Sequence, residues 1–173
     1  MVQGYPNSSA VLVTGASKGS LGAEVVLSLA AAKPTHFILV GRNQSKLDPV
    51  IAEIKSIDSS ITTTFISADM LDNSSIRKAG SEINALDATI DSVIFSAGVM
   101  AVRNYEPSKD GVETQFAANY VGHFLLANLI LEKLAKTSTF VTVTSSGYEM
   151  AEVSFDDYNF QVRASLQLSQ ILC

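Results

Sequence analysis

Cysteine and histidine are scarce in this 173-residue chain, which contains one cysteine, Cys173, and two histidines, His36 and His123. A single cysteine excludes an internal disulfide framework and is typical of a protein from a reducing compartment. Neither histidine has a partner residue at metal-ligand spacing, so we expect no metal site. We interpret both histidines as surface or helix-packing residues.

Basic residues and long apolar runs are also few. Twelve Lys and Arg stand against 17 Asp and Glu, a net charge of −5, which argues against a nucleic acid partner because phosphate contacts need clustered basic side chains. The longest apolar run, residues 124–131 (FLLANLIL), is too short to cross a bilayer and contains Asn128. The first ten residues lack the basic start and apolar core of a signal peptide. We expect a cytoplasmic globular protein without a membrane span.

Short apolar runs alternate with helical patterns along the chain. They predict strands at Ala10–Thr14, His36–Val40, Thr62–Ser67, Asp91–Ser96 and Thr139–Thr144. They predict helices at Leu21–Ala32, Gln44–Ile57, Asn73–Leu86 and Gly111–Lys136. Because nearly all-apolar strands need cover on both faces, and because strands that alternate with helices imply right-handed crossovers, we predict a doubly wound α/β fold. Its parallel sheet is expected in the order 3-2-1-4-5, as in a Rossmann fold.

The fourth predicted helix is apolar on more than one face. Such a helix is either deeply buried or part of a subunit interface. A homo-oligomer formed through this helix is therefore one hypothesis for the chain.

The turn between the first strand and the first helix carries three glycines, Gly15, Gly19 and Gly22. The N–H groups at a helix start are unpaired and electropositive, which suits a pyrophosphate. Glycine permits the tight turn, a close approach of phosphate to the backbone, and close packing of helix on strand. A P-loop is excluded because Lys18 precedes Gly19 and no Gly-Lys-Ser/Thr follows. The alternative is a tight turn that binds nothing.

With its neighbours, the segment TGASKGSLG resembles the T-G-x-x-x-G-x-G cofactor loop of the short-chain dehydrogenase/reductase family, with one extra residue around Ser20. Further matches follow in register: LVGRN (39–43), ADM (68–70), SAG (96–98), NYVGHFLL (119–126) and VTVTSS (141–146). NYVGHFLL and VSFDDYNFQ (153–161) are most similar to the retinol-dehydrogenase-like branch. A complete family member continues with two more strands and a substrate lid, so the resemblance implies a chain truncated at its C-terminal side.

The resemblance implies a site for a nicotinamide dinucleotide. The cofactor-binding residues carried over from it are Gly15, Ser17, Lys18, Gly19, Leu21, Gly22, Arg42, Asp69, Met70, Ser96, Ala97 and Gly98. Arg42 follows the second strand, where a domain that selects NAD usually carries Asp or Glu, and an arginine there suits the 2′-phosphate of NADP. NADP is therefore favoured over NAD, the alternative being a solvated arginine. Asp69 is expected to meet the adenine amino group unless it serves as a turn or cap aspartate.

Catalysis in this family uses a Tyr whose acidity is raised by a Lys four residues later. No Y-x-x-x-K follows Ser146, because Tyr148 is followed four residues later by Glu152 and Tyr158 by Val162. The tail SLQLSQILC resembles a degraded copy of the pair, with Leu166 and Gln170 at the two positions. The resemblance carries over two catalytic residues, Ser146 as the substrate-orienting serine and Asn119 as organiser of a proton-relay water. A buried asparagine satisfied by backbone groups is the alternative for Asn119.

Two hypotheses follow for the function. The first is an NADP-dependent oxidoreductase that acts on an alcohol or carbonyl group of a small lipophilic substrate. The second is a truncated, non-catalytic dinucleotide-binding module. Both place a NAD(P)-binding Rossmann domain at residues 1–150 and a degenerate or truncated tail at residues 151–173.

Overall fold

The computed structural model describes residues 9–102, 104–146, 149 and 155–161. Within them, a parallel sheet runs in the order β3-β2-β1-β4-β5, which confirms the predicted fold class and strand order. The strands are β1 (Ala10–Thr14), β2 (His36–Gly41), β3 (Thr62–Ser67), β4 (Ile90–Phe95) and β5 (Leu134–Thr142).

Helices flank the sheet on both faces. They are α1 (Leu21–Ala30), α2 (Asp48–Ile57), α3 (Asn73–Ala85), α4 (Thr114–Phe116) and α5 (Gly122–Leu129), with a π-helical turn, Ala117–Val121, between the last two. Single 3₁₀ turns occur at Gln44–Lys46, Leu131–Lys133 and Phe155–Asp157. None of the helices in the described ranges is long and apolar enough to cross a membrane.

The core has two layers because side chains alternate along the buried strands. In β1, Val11 and Val13 pack with apolar residues of α1 and α2 on one face of the sheet. Leu12 packs on the other face with Ile83 of α3 and Leu126 of α5. All five residues of β1 are buried, which is the condition of a central strand covered on both sides.

The predicted end of the fourth helix was wrong. The sequence predicts one helix over Gly111–Lys136, whereas α5 ends at Leu129 and β5 already begins at Leu134. The Ile130 N–H is shared between the carbonyls of Leu126 and Ala127, which tightens the last turn. Lys133 Nζ then donates to the Leu86 carbonyl at 2.6 Å, and Leu134 pairs with Ile90. These tertiary contacts override the helical preference of the sequence LEKLAK.

Three aromatic rings form a ladder along α4, the π-helical turn and α5. Phe116 and Tyr120 stack with ring centroids 5.5 Å apart, and Tyr120 and Phe124 with centroids 6.2 Å apart. Tyr120 and Phe124 are each about 60% exposed, at 59% and 61%. Tyr158 lies edge-on to Phe116, which brings residues 155–161 against the start of the helix. The predicted boundary at residue 150 stays a prediction, because most of the tail lies outside the described residues.

Strand β5 forms the edge of the sheet. Among the described residues it pairs with β4 alone, and Phe140, Val141 and Val143 are 43%, 45% and 44% exposed. Residues 139–144 (TFVTVT), which include the end of β5, are uncharged, rich in β-branched residues and free of proline. An unpaired strand with this composition is a template for association with other chains.

We predict that the variant Val141→Lys is less prone to association than the wild type, because a charge on an edge strand opposes pairing with another strand. The matched control is Ile57→Lys, which places the same charge on α2 at a residue of similar exposure, 44%. Sedimentation velocity at increasing concentration measures the effect. A gain in monomer with Val141→Lys but not Ile57→Lys is expected; wild type that is already monodisperse monomer would contradict the prediction.

Candidate functional site

A cleft of about 270 Å³ opens at the carboxyl ends of β1, β2 and β4. It lies where the strand order reverses between β1 and β4, the position at which open α/β sheets bind ligands. Its lining residues come from five segments of the chain: Gly15, Ser17, Ser20, Val40, Gly41, Arg42, Ala68, Asp69, Met70, Leu71, Ser96, Ala97, Gly98, Val99 and Ala118.

Eight of the predicted cofactor-binding residues therefore line one cleft, and the other four do not. The eight are Gly15, Ser17, Arg42, Asp69, Met70, Ser96, Ala97 and Gly98. Lys18, Gly19 and Leu21 are exposed on the glycine turn or at the start of α1, and Gly22 is buried beneath the turn. The role of all twelve in binding a cofactor stays a prediction.

The glycine turn is held by two close approaches of backbone to backbone. Gly15 has a φ of +75°, and a Cβ on it would lie 2.6 Å from the Cα of Ala97. A Cβ on Gly22 would lie 2.7 Å from the Gly15 carbonyl oxygen. Both distances are too short for any side chain, so the turn packs directly on α1 and on the segment after β4. The turn therefore needs glycine at both positions.

The extra residue of the turn, Ser20, becomes the N-cap of α1. Its Oγ accepts a hydrogen bond from the Ala23 N–H at 3.2 Å and donates one to the Gly15 carbonyl at 2.7 Å. Its own N–H donates to the Ser17 carbonyl at 3.0 Å. The insertion is thus absorbed as a capped turn, and Ser20 joins the lining of the cleft.

Arg42 lies at the rim of the cleft and is exposed. It forms no ion pair with any residue that the structure describes. Its guanidinium is therefore available to a phosphate, with which it can form two parallel charge-assisted hydrogen bonds.

Asp69 is already committed in part to its own loop. One carboxylate oxygen accepts the Leu71 N–H at 3.0 Å, and the Asp69 N–H donates to Ser75 Oγ at 3.0 Å. Asp69 thus forms a turn, which was the alternative role considered in the sequence analysis, and it also lines the cleft.

The two predicted catalytic residues lie outside the lining of the cleft. The Asn119 side chain accepts from the Val99 N–H at 2.8 Å and donates to the Val99 carbonyl at 2.9 Å, as in the backbone-satisfied alternative. It belongs to the π-helical turn, in which the Gly122 N–H bonds the Ala117 carbonyl five residues back. Ser146 follows β5 and is exposed. Leu166 and Gln170 lie outside the described residues, and their match to a degraded Tyr/Lys pair stays a prediction.

Metal-ligating side chains do not cluster in the part of the chain that the structure describes. His36 is half-buried on β2, where its Nε2 lies 2.8 Å from Thr64 Oγ1. Burial lowers the pKa of His36. His123, on α5, is buried.

The fold and cleft together define a doubly wound α/β domain of the Rossmann type. The family model for short chain dehydrogenases matches residues 9–159, and the chain therefore belongs to this family.

Two curated relatives illustrate the match. Oxidoreductase fscI of Fusarium equiseti is 29% identical over 164 residues, which are 91% of this chain and 64% of that protein. Human retinol dehydrogenase 13 is 32% identical over 155 residues, which are 88% of this chain and 46% of that protein. The chain thus spans about half to two thirds of the length of these relatives.

Solved structures show the same fold. A putative short chain dehydrogenase from Escherichia coli CFT073, complexed with NADPH, aligns with a TM-score of 0.69 at 21% identity. The alignment covers 96% of this chain and 69% of that one. An oxidoreductase from E. coli, yciK, aligns with a TM-score of 0.70 at 23% identity over 94% of this chain and 68% of its own.

We predict that Gly15→Ala lowers the free energy of unfolding more than Gly19→Ala does. Both glycines have a positive φ, +75° and +80°, so each alanine bears about 1–2 kcal/mol of backbone strain. Only at Gly15 does the added methyl also meet the Ala97 backbone, which adds about 1–3 kcal/mol of overpacking. Urea denaturation of both variants measures the difference. Equal losses would show that the turn is not packed against Ala97 in solution.

Proposed function

We propose that this chain binds NADP(H) in the cleft at the β1–β4 switch point, as the cofactor-binding part of an oxidoreductase. The observation that carries the proposal is the packed glycine turn beside an unpaired arginine. Backbone too crowded for a side chain lines one end of the cleft, and the Arg42 guanidinium stands at its rim. When bound, the nicotinamide ring would supply or accept a hydride.

The proposal assigns a group of this chain to each part of the dinucleotide. The turn at Gly15 and the capped start of α1 would hold the pyrophosphate, because N–H groups and the helix dipole favour negative charge there. Arg42, with Ser17 nearby in the cleft, would hold the 2′-phosphate of NADP. The other carboxylate oxygen of Asp69, Oδ2, would accept from the adenine amino group. Ser96, Ala97 and Gly98 would form the floor.

The substrate class in the proposal is an alcohol or carbonyl compound that is small and lipophilic. Human retinol dehydrogenase 13 and human polyprenol dehydrogenase carry lipophilic alcohols in their names and are 32% and 34% identical over 88% and 70% of this chain. Ser146 would orient the reacting oxygen, as the family resemblance implies. We include a cytoplasmic location in the proposal on the basis of the single cysteine.

Specific observations also favour the second candidate, a non-catalytic dinucleotide-binding module. No Y-x-x-x-K follows Ser146, and the one at Tyr105 and Lys109 lies outside the cleft lining, with Lys109 paired to Asp72. The Asn119 side chain bonds the backbone of Val99 on both its oxygen and its nitrogen. In this candidate, the aromatic ladder of Phe116, Tyr120 and Phe124 supports association of two copies through the fourth helix.

We expect NADPH to bind more tightly than NADH, and Arg42→Ala to remove the preference. A hydrogen bond to a charged group contributes about 1.5–3 kcal/mol, which corresponds to roughly a 10- to 100-fold change in Kd. Fluorescence titration of both nucleotides measures it, with Arg77→Ala as control because Arg77 is an exposed arginine on α3 outside the cleft lining. Equal NADPH affinity for wild type and Arg42→Ala would refute the assignment of Arg42.

Turnover distinguishes the two candidates. We expect the 173-residue chain to show no turnover of retinoid, steroid or aliphatic alcohols, because positioned proton transfer contributes about 10²–10⁴-fold and no Tyr/Lys pair at this spacing follows Ser146. Reduction of NADP followed at saturating nucleotide is the measurement. Turnover above background that is lost in Ser146→Ala would overturn this expectation and show that another group serves as the acid.

A further inference from the structure

A buried polar cluster lies directly under the floor of the cleft. It joins Thr14 at the end of β1, His123 of α5 and the backbone that follows β4. Thr14 is fully buried and His123 is 5% exposed. The role proposed above for the cleft does not use either side chain.

The hydroxyl of Thr14 has one proton and two acceptor sites, and the structure accounts for all three. The Ser96 and Ala97 N–H groups donate to Thr14 Oγ1 at 3.1 and 3.0 Å. Both acceptor sites are then filled, so the hydroxyl proton must be donated to the third neighbour, Nε2 of His123, at 2.9 Å. Nε2 therefore carries no proton.

The other ring nitrogen fixes the rest of the assignment. His123 Nδ1 lies 3.1 Å from the Asn119 carbonyl oxygen, which can only accept, so Nδ1 carries the proton. The ring is the neutral Nδ1–H tautomer. The Phe95 ring packs on it with centroids 4.7 Å apart, and burial lowers the pKa of His123 below its ordinary value of 6.5, which favours the same neutral form.

We infer that His123 is a positioning residue of the cleft: its bare Nε2 turns the Thr14 hydroxyl so that both acceptor sites hold the backbone of Ser96 and Ala97. Its Nδ1–H at the same time bonds the π-helical turn whose Asn119 side chain holds Val99. One imidazole thereby connects the two clamps on residues 96–99, four consecutive residues that line the cleft. That these residues support a dinucleotide rests on the function proposed above.

The geometry limits which side chains can replace the histidine. A glutamine can place its carbonyl oxygen near the position of Nε2 and accept from Thr14, whereas a phenylalanine fills similar volume with no acceptor. In His123→Phe, the Thr14 hydroxyl is left to donate elsewhere and loses its fixed orientation. Thr14→Val removes the acceptor for both N–H groups and keeps the shape of the side chain.

The first test uses the full chain without nucleotide. Long-range ¹H–¹⁵N spectra of the His123 ring are expected to show a protonated Nδ1 and a bare Nε2. Amide hydrogen exchange at Ser96 and Ala97 is expected to be about tenfold faster or more in His123→Phe and in Thr14→Val, and close to wild type in His123→Gln. A protonated Nε2, or exchange in His123→Phe that matches wild type, would overturn the inference.

The second test measures the NADPH Kd of the same variants, with the unfolding midpoint measured alongside. We expect His123→Phe to bind about tenfold more weakly and His123→Gln to bind within a few-fold of wild type. A purely structural histidine would instead lower the midpoint in both variants and leave the Kd of the folded fraction unchanged, which would refute the positioning role. If wild type binds no dinucleotide, the proposed function fails, and tautomer and exchange alone decide the inference.

Discussion

The close approach of the glycine turn to the segment after β4 is the constraint on which the rest of this structure depends. Gly15 passes so near Ala97 that no side chain fits between them, and Gly22 packs on Gly15 in the same way. These contacts bring the start of α1, the end of β1 and the extension of β4 to one point. The cleft exists because the sheet is parallel and its carboxyl ends meet at that point, where the strand order reverses.

Buried polar side chains below this contact hold the backbone of the segment after β4 in place. Thr14 holds two consecutive N–H groups after β4, and Asn119 holds both backbone groups of Val99. Buried polar groups must be paired, and here the pairing holds Ser96, Ala97 and Val99, three of the four consecutive residues 96–99 that line the cleft. The buried histidine and threonine thereby define the position of the backbone beside the cleft.

The fold was predictable from the sequence for a simple physical reason. Strands such as β1 and β2 are apolar along almost their whole length, so they need cover on both faces, and only helices on both sides of a parallel sheet supply it. The glycines of the turn and the arginine after β2 can be recognised in the sequence without any knowledge of tertiary contacts. Eight of the twelve residues that the family resemblance implied for the cofactor line the same cleft.

Features that depend on contacts between distant residues were not predictable. The end of α5 depends on Lys133 reaching Leu86, and the start of β5 depends on Leu134 pairing with Ile90, while the local sequence favours a helix. The bond between Thr14 and His123 joins residues 109 positions apart, and no spacing rule connects them. His123 was predicted only as a surface or helix-packing residue, although it lies in the segment NYVGHFLL that carried the family resemblance.

The central claim is that a dinucleotide binds at the β1–β4 switch point, and amide ¹H–¹⁵N spectra recorded during titration with NADPH test it most directly. The account predicts that shifts concentrate on the backbone of Gly15, Arg42 and Gly98, with smaller changes along the rest of the cleft lining. Shifts that concentrate instead on β5 or on the aromatic ladder, or spectra that do not change at millimolar NADPH, would contradict it.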